Sequence, residues 1–260
     1  MKQSVMAKEI RRKPHKLDDV IVTESIQSVN IIKQLNKMGG FIAGGMAVQS
    51  YIPPEEYRPT IDLDFNLDWL GGAANFKELT EPLKDYLGAL GYSIKFRKKG
   101  LTYEYEIEKE GDSFLIQHPR RSKSYFEGDK KKSLRREITN ERIVSKEGLK
   151  YAVLSPEDLV IHKLTRILKF SEEYDIKIPS TRLKNSADVL RTDLLSRGDN
   201  ISPQDIARLR IYYDCVDVKC LSKYAGLNQN YFSEVKKDWR GYVQDDKFKS
   251  VLDRLEVSLE

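Results

Sequence analysis

Cysteine and histidine are scarce in this chain of 260 residues. Its two cysteines, Cys215 and Cys220, stand five positions apart in a segment of helical periodicity. That spacing suits neither a disulfide framework nor a metal knuckle, so they read as buried thiols. Three scattered histidines, His15, His118 and His162, make no zinc cluster. Long apolar runs are missing too: nothing approaches the roughly 18 residues that a spanning helix needs, so no membrane is expected. Met1 to Lys16 is basic and lacks the apolar middle of a secretory signal, which points to a cytoplasmic protein. What the chain does have is 40% hydrophobic residues, enough to bury a sizeable core in one large or two ordinary domains and to exclude overall disorder.

Charge is plentiful and unevenly placed. Lys and Arg number 45 against 40 Asp and Glu, a formal net charge of +5. Met1 to Lys16 holds six basic residues and one acid, and Pro119 to Arg136 holds eight and two, so the remainder is acidic. A cationic segment that displaces condensed counterions binds phosphate backbones. In the second segment Arg120, Arg121, Lys123, Lys130, Lys131, Lys132, Arg135 and Arg136 surround Tyr125, whose ring can stack on an unpaired base. These nine are the candidate RNA-contacting residues; a solvated tail and a solvated loop are the alternative.

Apolar spacing predicts a helix over Leu17 to Met38, stopped by Gly39 and Gly40, then a short strand, Phe41 to Ala43, and a helix over Met46 to Tyr51. Thr60 to Leu67 alternates as a strand does. Ile61, Leu63 and Phe65 take one face, and Asp62, Asp64 and Asn66 the other. A helix follows over Phe76 to Leu90, then strands over Tyr92 to Arg97, Leu101 to Glu108 and Ser113 to Gln117. Beyond about Lys150 helical periodicity takes over. Ser155-Pro156-Glu157-Asp158 and Ser202-Pro203-Gln204-Asp205 are both helix starts, with serine caps and proline in the first turn. Helices are expected over Leu159 to Phe170, Arg182 to Ser196, Pro203 to Ala225, Tyr231 to Gln244 and Lys247 to Leu259. The expected fold class is α+β: a mixed β-sheet with flanking helices in residues 1–150 and a helical domain in 151–260, with the junction near Tyr151.

Two features carry chemistry. Gly44-Gly45 opens a helix, which offers backbone N–H groups to a phosphate with no side chains in the way. Asp62 and Asp64, one residue apart on a strand, leave the same face, and two like charges held that close call for a cation between them. Hard oxygen donors suit Mg²⁺. Each feature alone recurs in many unrelated turns and strands. Together they set a phosphate cradle beside a metal-binding acid pair.

The arrangement resembles that of polymerase-β-like nucleotidyltransferases. More narrowly, Gly44-Gly45-Met46-Ala47 followed by Arg58-Pro59-Thr60-Ile61-Asp62-Leu63-Asp64-Phe65 is similar to the first motif of the AbiEii/AbiGii group of nucleotidyltransferase toxins. Tyr151-Ala152-Val153-Leu154-Ser155-Pro156-Glu157-Asp158-Leu159 with Lys163 is similar to the segment leading to that group's nucleotide-binding lysine. Arg182 to Leu190 resembles its later helix, in which a single aspartate, here Asp188, matters for function. The matches cover roughly residues 40 to 195. There are departures: sixteen residues separate Gly45 from Asp62, Asn185 and His162 stand where acids are common, and Gln117 occupies the strand position of a third carboxylate. Glu104 or Glu106 on the neighbouring strand is the possible substitute.

The resemblance implies transfer of a nucleotide from an NTP to an acceptor hydroxyl. Asp62 and Asp64 hold Mg²⁺ or Mn²⁺, Gly44 and Gly45 receive a phosphate, and Lys163 neutralises the leaving pyrophosphate. Arg166, one helical turn on, adds a second charge; Arg58 and Thr60 border the phosphate; Asp188 acts as a base or touches sugar or nucleobase. It also implies an RNA, tRNA or protein acceptor and an antitoxin partner. A small molecule of the aminoglycoside type is an alternative acceptor, and an inactive RNA-binding or partner protein on the same fold is the alternative of another class.

Overall fold

The computed structural model describes residues 26–60, 62–67, 73–99, 102–109, 112–119, 136–137, 141–146, 148–197, 200–238 and 245–258. The described residues fall into two compact units, one drawn from 26–50 and 57–155, the other from 51–56 and 156–258.

The first unit is a mixed α+β layer structure. In chain order it contains α1 (Ile26–Lys37), β1 (Gly40–Ile42), α2 (Gly44–Gln49), β2 (Asp62–Leu67), α3 (Ala73–Leu79), α4 (Glu81–Ala89), β3 (Ser93–Lys99), β4 (Thr102–Lys109), β5 (Asp112–Pro119), β6 (Arg142–Lys146) and β7 (Leu149–Val153). The seven strands form one sheet in the order β3-β4-β5-β2-β1-β7-β6. Strands β2 and β5 run parallel, as do β1 and β7, and the other neighbours are antiparallel.

Alternation along the strands gives this sheet two unlike faces. One carries Leu63 and Phe65 of β2, Tyr103, Tyr105 and Ile107 of β4, and Ile116 and His118 of β5, all buried. Phe76 of α3 seats against it, its ring 4.8 Å from Tyr103 and 5.2 Å from His118. His118 also accepts the Leu67 backbone N–H on Nε2 at 3.2 Å. The opposite face carries the acids of β2 and, in register across the sheet, Gln117, Glu104 and Arg97.

The expected helix over Phe76 to Leu90 is two helices. Thr80, fully buried, turns its hydroxyl to the Phe76 carbonyl at 2.7 Å and shares a 2.6 Å hydrogen bond with the Tyr105 hydroxyl, and Pro82 then sits in the first turn of α4. Burial pushes the Tyr105 phenol up from its ordinary range, ahead of the lowering effect of Thr80. The β6–β7 hairpin was not expected at all. Gly148 turns it at φ +77°, a left-handed conformation that glycine adopts without strain, and Ile143 on the edge strand remains 64% exposed. The expected junction near Tyr151 therefore falls inside β7.

The second unit is helical: α5 (Pro156–Tyr174), α6 (Leu183–Ser196), α7 (Pro203–Tyr224), α8 (Gln229–Asp238) and α9 (Asp245–Arg254). Helix α7 packs along both α5 and α6, and Leu159, Val160, Leu164 and Ile167 of α5 and Ile211, Cys215, Val218 and Leu221 of α7 are all buried. Its start is a complete capping box: Ser202 Oγ accepts from Asp205 N, and the Asp205 carboxylate accepts from Ser202 N. Both cysteines lie buried and unpaired on α7. Burial first, then Asp214 and Asp217, hold the Cys215 thiol far above its ordinary range; burial and then Glu56 and Asp217 push Cys220 to about 11. No described helix is long and apolar enough to cross a membrane.

Candidate active site

Strand β1 ends and α2 begins at Ala43-Gly44, where the chain must bend sharply beside β2. Antiparallel pairing sets Ile42 opposite Phe65, and Ala43 N donates to Asp64 O at 2.9 Å, so the turn is pinned at the level of Asp64. Gly44 has φ +65°, and a Cβ there would meet Asp64 Oδ2 at 2.0 Å. A Cβ on Gly45 would come within 2.9 Å of Thr60 Oγ1 and 3.2 Å of Arg58 Nη2. Gly44, Gly45, Arg58, Thr60, Asp62 and Asp64, expected together from sequence, are thus gathered in one place.

Each member has a supporting partner. Gln49, 2% exposed at the end of α2, donates to the Arg58 carbonyl at 2.8 Å and fixes the loop that carries the guanidinium. Arg58 Nη1 reaches the Pro59 carbonyl at 3.0 Å. Thr60, 5% exposed, donates to Asp62 Oδ1 at 3.1 Å. Asp62 and Asp64 are half-buried on the polar face of β2, with Leu63 and Phe65 locked into the core behind them. This is a pair of hard oxygen donors on a rigid strand, against a backbone stripped of side chains, and it fits a small divalent cation with a phosphate.

The third-carboxylate question has a definite geometry. Asp64 is in register with Gln117 on β5, and Gln117 with Glu104 on β4; Gln117 Nε2 donates to Glu104 Oε2 at 2.7 Å. Glu106 pairs with Arg97. Both glutamates are buried, yet among the described residues no group of three or more His, Cys, Asp or Glu converges as metal ligands do.

In the second unit Lys163 and Arg166 do share a helical face, and what they meet is a pair of buried aspartates on α7. Lys163, 3% exposed, holds Nζ 2.6 Å from Asp217 and 3.1 Å from Asp214, while Arg166 grips Asp214 with two nitrogens. Sequence reading missed Asp214 and Asp217; the available signal was a pair of acids, three apart, set among the apolar residues Ile211, Cys215, Val216 and Val218.

The Ser-Pro-Glu-Asp segment also proves to be a clasp within this unit. Glu157 Oε1 accepts from Asn228 N and Asp158 Oδ2 from the Tyr231 hydroxyl, both at 2.6 Å, so the first turn of α5 grips the start of α8. Asp188 is exposed on α6. Its backbone carbonyl accepts from Thr192. Of the candidate RNA-contacting residues, Arg120 to Arg135 lie outside the described residues, and Arg136 is half-buried.

No protein-family model and no curated protein matches the chain. Among solved structures it is similar to an antigenic nucleotidyltransferase-like protein from Paracoccidioides brasiliensis, with 14% identity and a TM-score of 0.43 over 87% of this chain and 90% of that one.

Proposed function

We propose that this chain is a metal-dependent nucleotidyltransferase. The observation that carries the reading is the Gly44 backbone held against the Asp64 carboxylate, with Asp62 two residues along the same strand face. Asp62 and Asp64 would hold Mg²⁺ or Mn²⁺, and such an ion supplies, when bound, neutralisation of triphosphate charge and polarisation of the α-phosphate. Gly44 and Gly45 admit the phosphates to the backbone. Arg58, tethered through Gln49, offers a guanidinium to them, and Thr60 keeps the Asp62 carboxylate oriented. The acceptor hydroxyl attacks the α-phosphate in line, its proton passing to solvent as the new P–O bond forms, and the α–β bridging P–O bond breaks to release pyrophosphate.

Lys163 and Arg166 enter this scheme only if they exchange Asp214 and Asp217 for a phosphate. Asp188, being exposed, is available to a nucleoside sugar or base. For the acceptor we favour an RNA or tRNA end, or a protein hydroxyl, in a cytoplasmic toxin with a protein antitoxin. This assignment rests on the motif resemblance and on the basic, Tyr125-bearing segment. Gln117 at the third-carboxylate position favours one other reading, an RNA-binding protein that has kept the fold without catalysis.

Equilibrium titration with a fluorescent ATP analogue separates them. The transferase reading predicts binding that needs Mg²⁺, is abolished by EDTA and falls at least about tenfold in Asp62→Asn/Asp64→Asn. A binding-only module would ignore magnesium and lose affinity for RNA steeply with salt.

A further inference from the structure

Gln117 is the residue that most sets this site apart, and its surroundings define what it does. Parallel pairing of β2 with β5 sets Gln117 beside Asp64 on the polar face of the sheet, and antiparallel pairing of β5 with β4 sets Glu104 on its other side. Glu104 is 1% exposed. A carboxylate only accepts hydrogen bonds, so the 2.7 Å contact fixes which end of the amide faces it: Nε2 points to β4 and Oε1 is turned away from it. That oxygen takes no hydrogen bond from the described residues.

We propose that Gln117 is the third oxygen donor of the metal site formed with Asp62 and Asp64, and that buried Glu104 is the positioning residue that aims its amide oxygen toward β2. The inference rests on the nucleotidyltransferase reading and deepens it. A neutral amide lowers the charge of the donor set relative to three carboxylates, so the site binds a divalent cation less tightly when no nucleotide adds its phosphates. The acid is retained one strand away, where it orients the donor. Outer partners of this kind commonly change metal affinity 10- to 100-fold when removed.

The test is a Mn²⁺ titration of the nucleotide-free full chain, read from the free-ion electron paramagnetic resonance signal, with each variant's thermal transition recorded alongside. Gln117→Ala should weaken Mn²⁺ binding about tenfold. Exchanging the two residues, Gln117→Glu with Glu104→Gln, keeps the hydrogen bond and delivers a carboxylate beside Asp64, so this variant should bind at least as tightly as wild type. Gln117→Ala within twofold of wild type, in a background where Asp64→Asn loses binding, would overturn the proposal alone. If Gln117→Ala fails to fold, the exchanged pair decides: affinity below wild type overturns it. Wild type and Asp64→Asn binding Mn²⁺ equally, or neither binding, would instead overturn the nucleotidyltransferase reading beneath it.

Discussion

Gly44 and Gly45 are adjacent and chemically identical, yet the structure gives them unequal tolerance. A Cβ on Gly44 runs into the short Asp64 side chain at a positive φ, so alanine there must either shift the acid or distort the turn. On Gly45, which has no positive φ, it meets the tip of Arg58, which can swing aside, and the buried Thr60, which must give by a few tenths of an ångström. Gly44→Ala should therefore cut nucleotide transfer about 100-fold or more, because displacing a reacting group by about 1 Å has that effect, and Gly45→Ala should cost far less. Equal losses in a transfer assay would count against the close approach. The thiols make a second prediction at this scale. With Cys215 and Cys220 buried and both pushed well above pH 8, native protein should release almost no thionitrobenzoate from Ellman's reagent at pH 8, and unfolded protein should release two equivalents.

The helices of the second unit can be tested through their ends and their buried charges. In the α7 capping box, Ser202 hydrogen bonds lower the Asp205 carboxyl below its ordinary value. A depressed folded pKa means that the stabilisation is present above the unfolded value near 3.9 and is lost as pH falls through the folded one. Asp205→Asn should thus narrow its gap from wild type between pH 7 and pH 3 in urea denaturation, and Ser202→Ala should cost about 1 kcal/mol at pH 7. Lys163→Met leaves Asp214 and Asp217 buried with one cation fewer and should cost about 3–5 kcal/mol. A stable Lys163→Met that loses only nucleotide binding would return Lys163 to the phosphate.

These elements also show why some of the molecule was legible beforehand and some was not. The Asp62–Asp64 strand could be read because a polar face alternated with a core face, and the Gly44-Gly45 turn only in combination with that acid pair, since two adjacent glycines alone recur in many turns. Helices α5 to α7 announced themselves by period, and α5 and α7 also by Ser-Pro starts. The break at Thr80 was signalled by Pro82 inside the expected helix and was passed over, its contact with Tyr105 lying 25 residues away, and the β6–β7 hairpin was hidden because its edge strand has little core to bury. Acids on a helix ordinarily mark a solvated face, so Asp214 and Asp217 gave no hint of Lys163 until α5 and α7 were packed together.

At the scale of the whole chain, the account rests on one acid pair in the sheet unit being the centre of a phosphoryl-group chemistry that the rest of the protein serves. The direct measurement is transfer of label from each α-³²P NTP, with Mg²⁺, into a mixture of total tRNA and protein, comparing wild type with folded Asp62→Asn/Asp64→Asn on a denaturing gel. The account predicts a labelled band with wild type that is absent with the double variant and with EDTA, its mobility naming RNA or protein as acceptor. Label transferred equally well by the double variant, or by neither protein when both are folded, would contradict it.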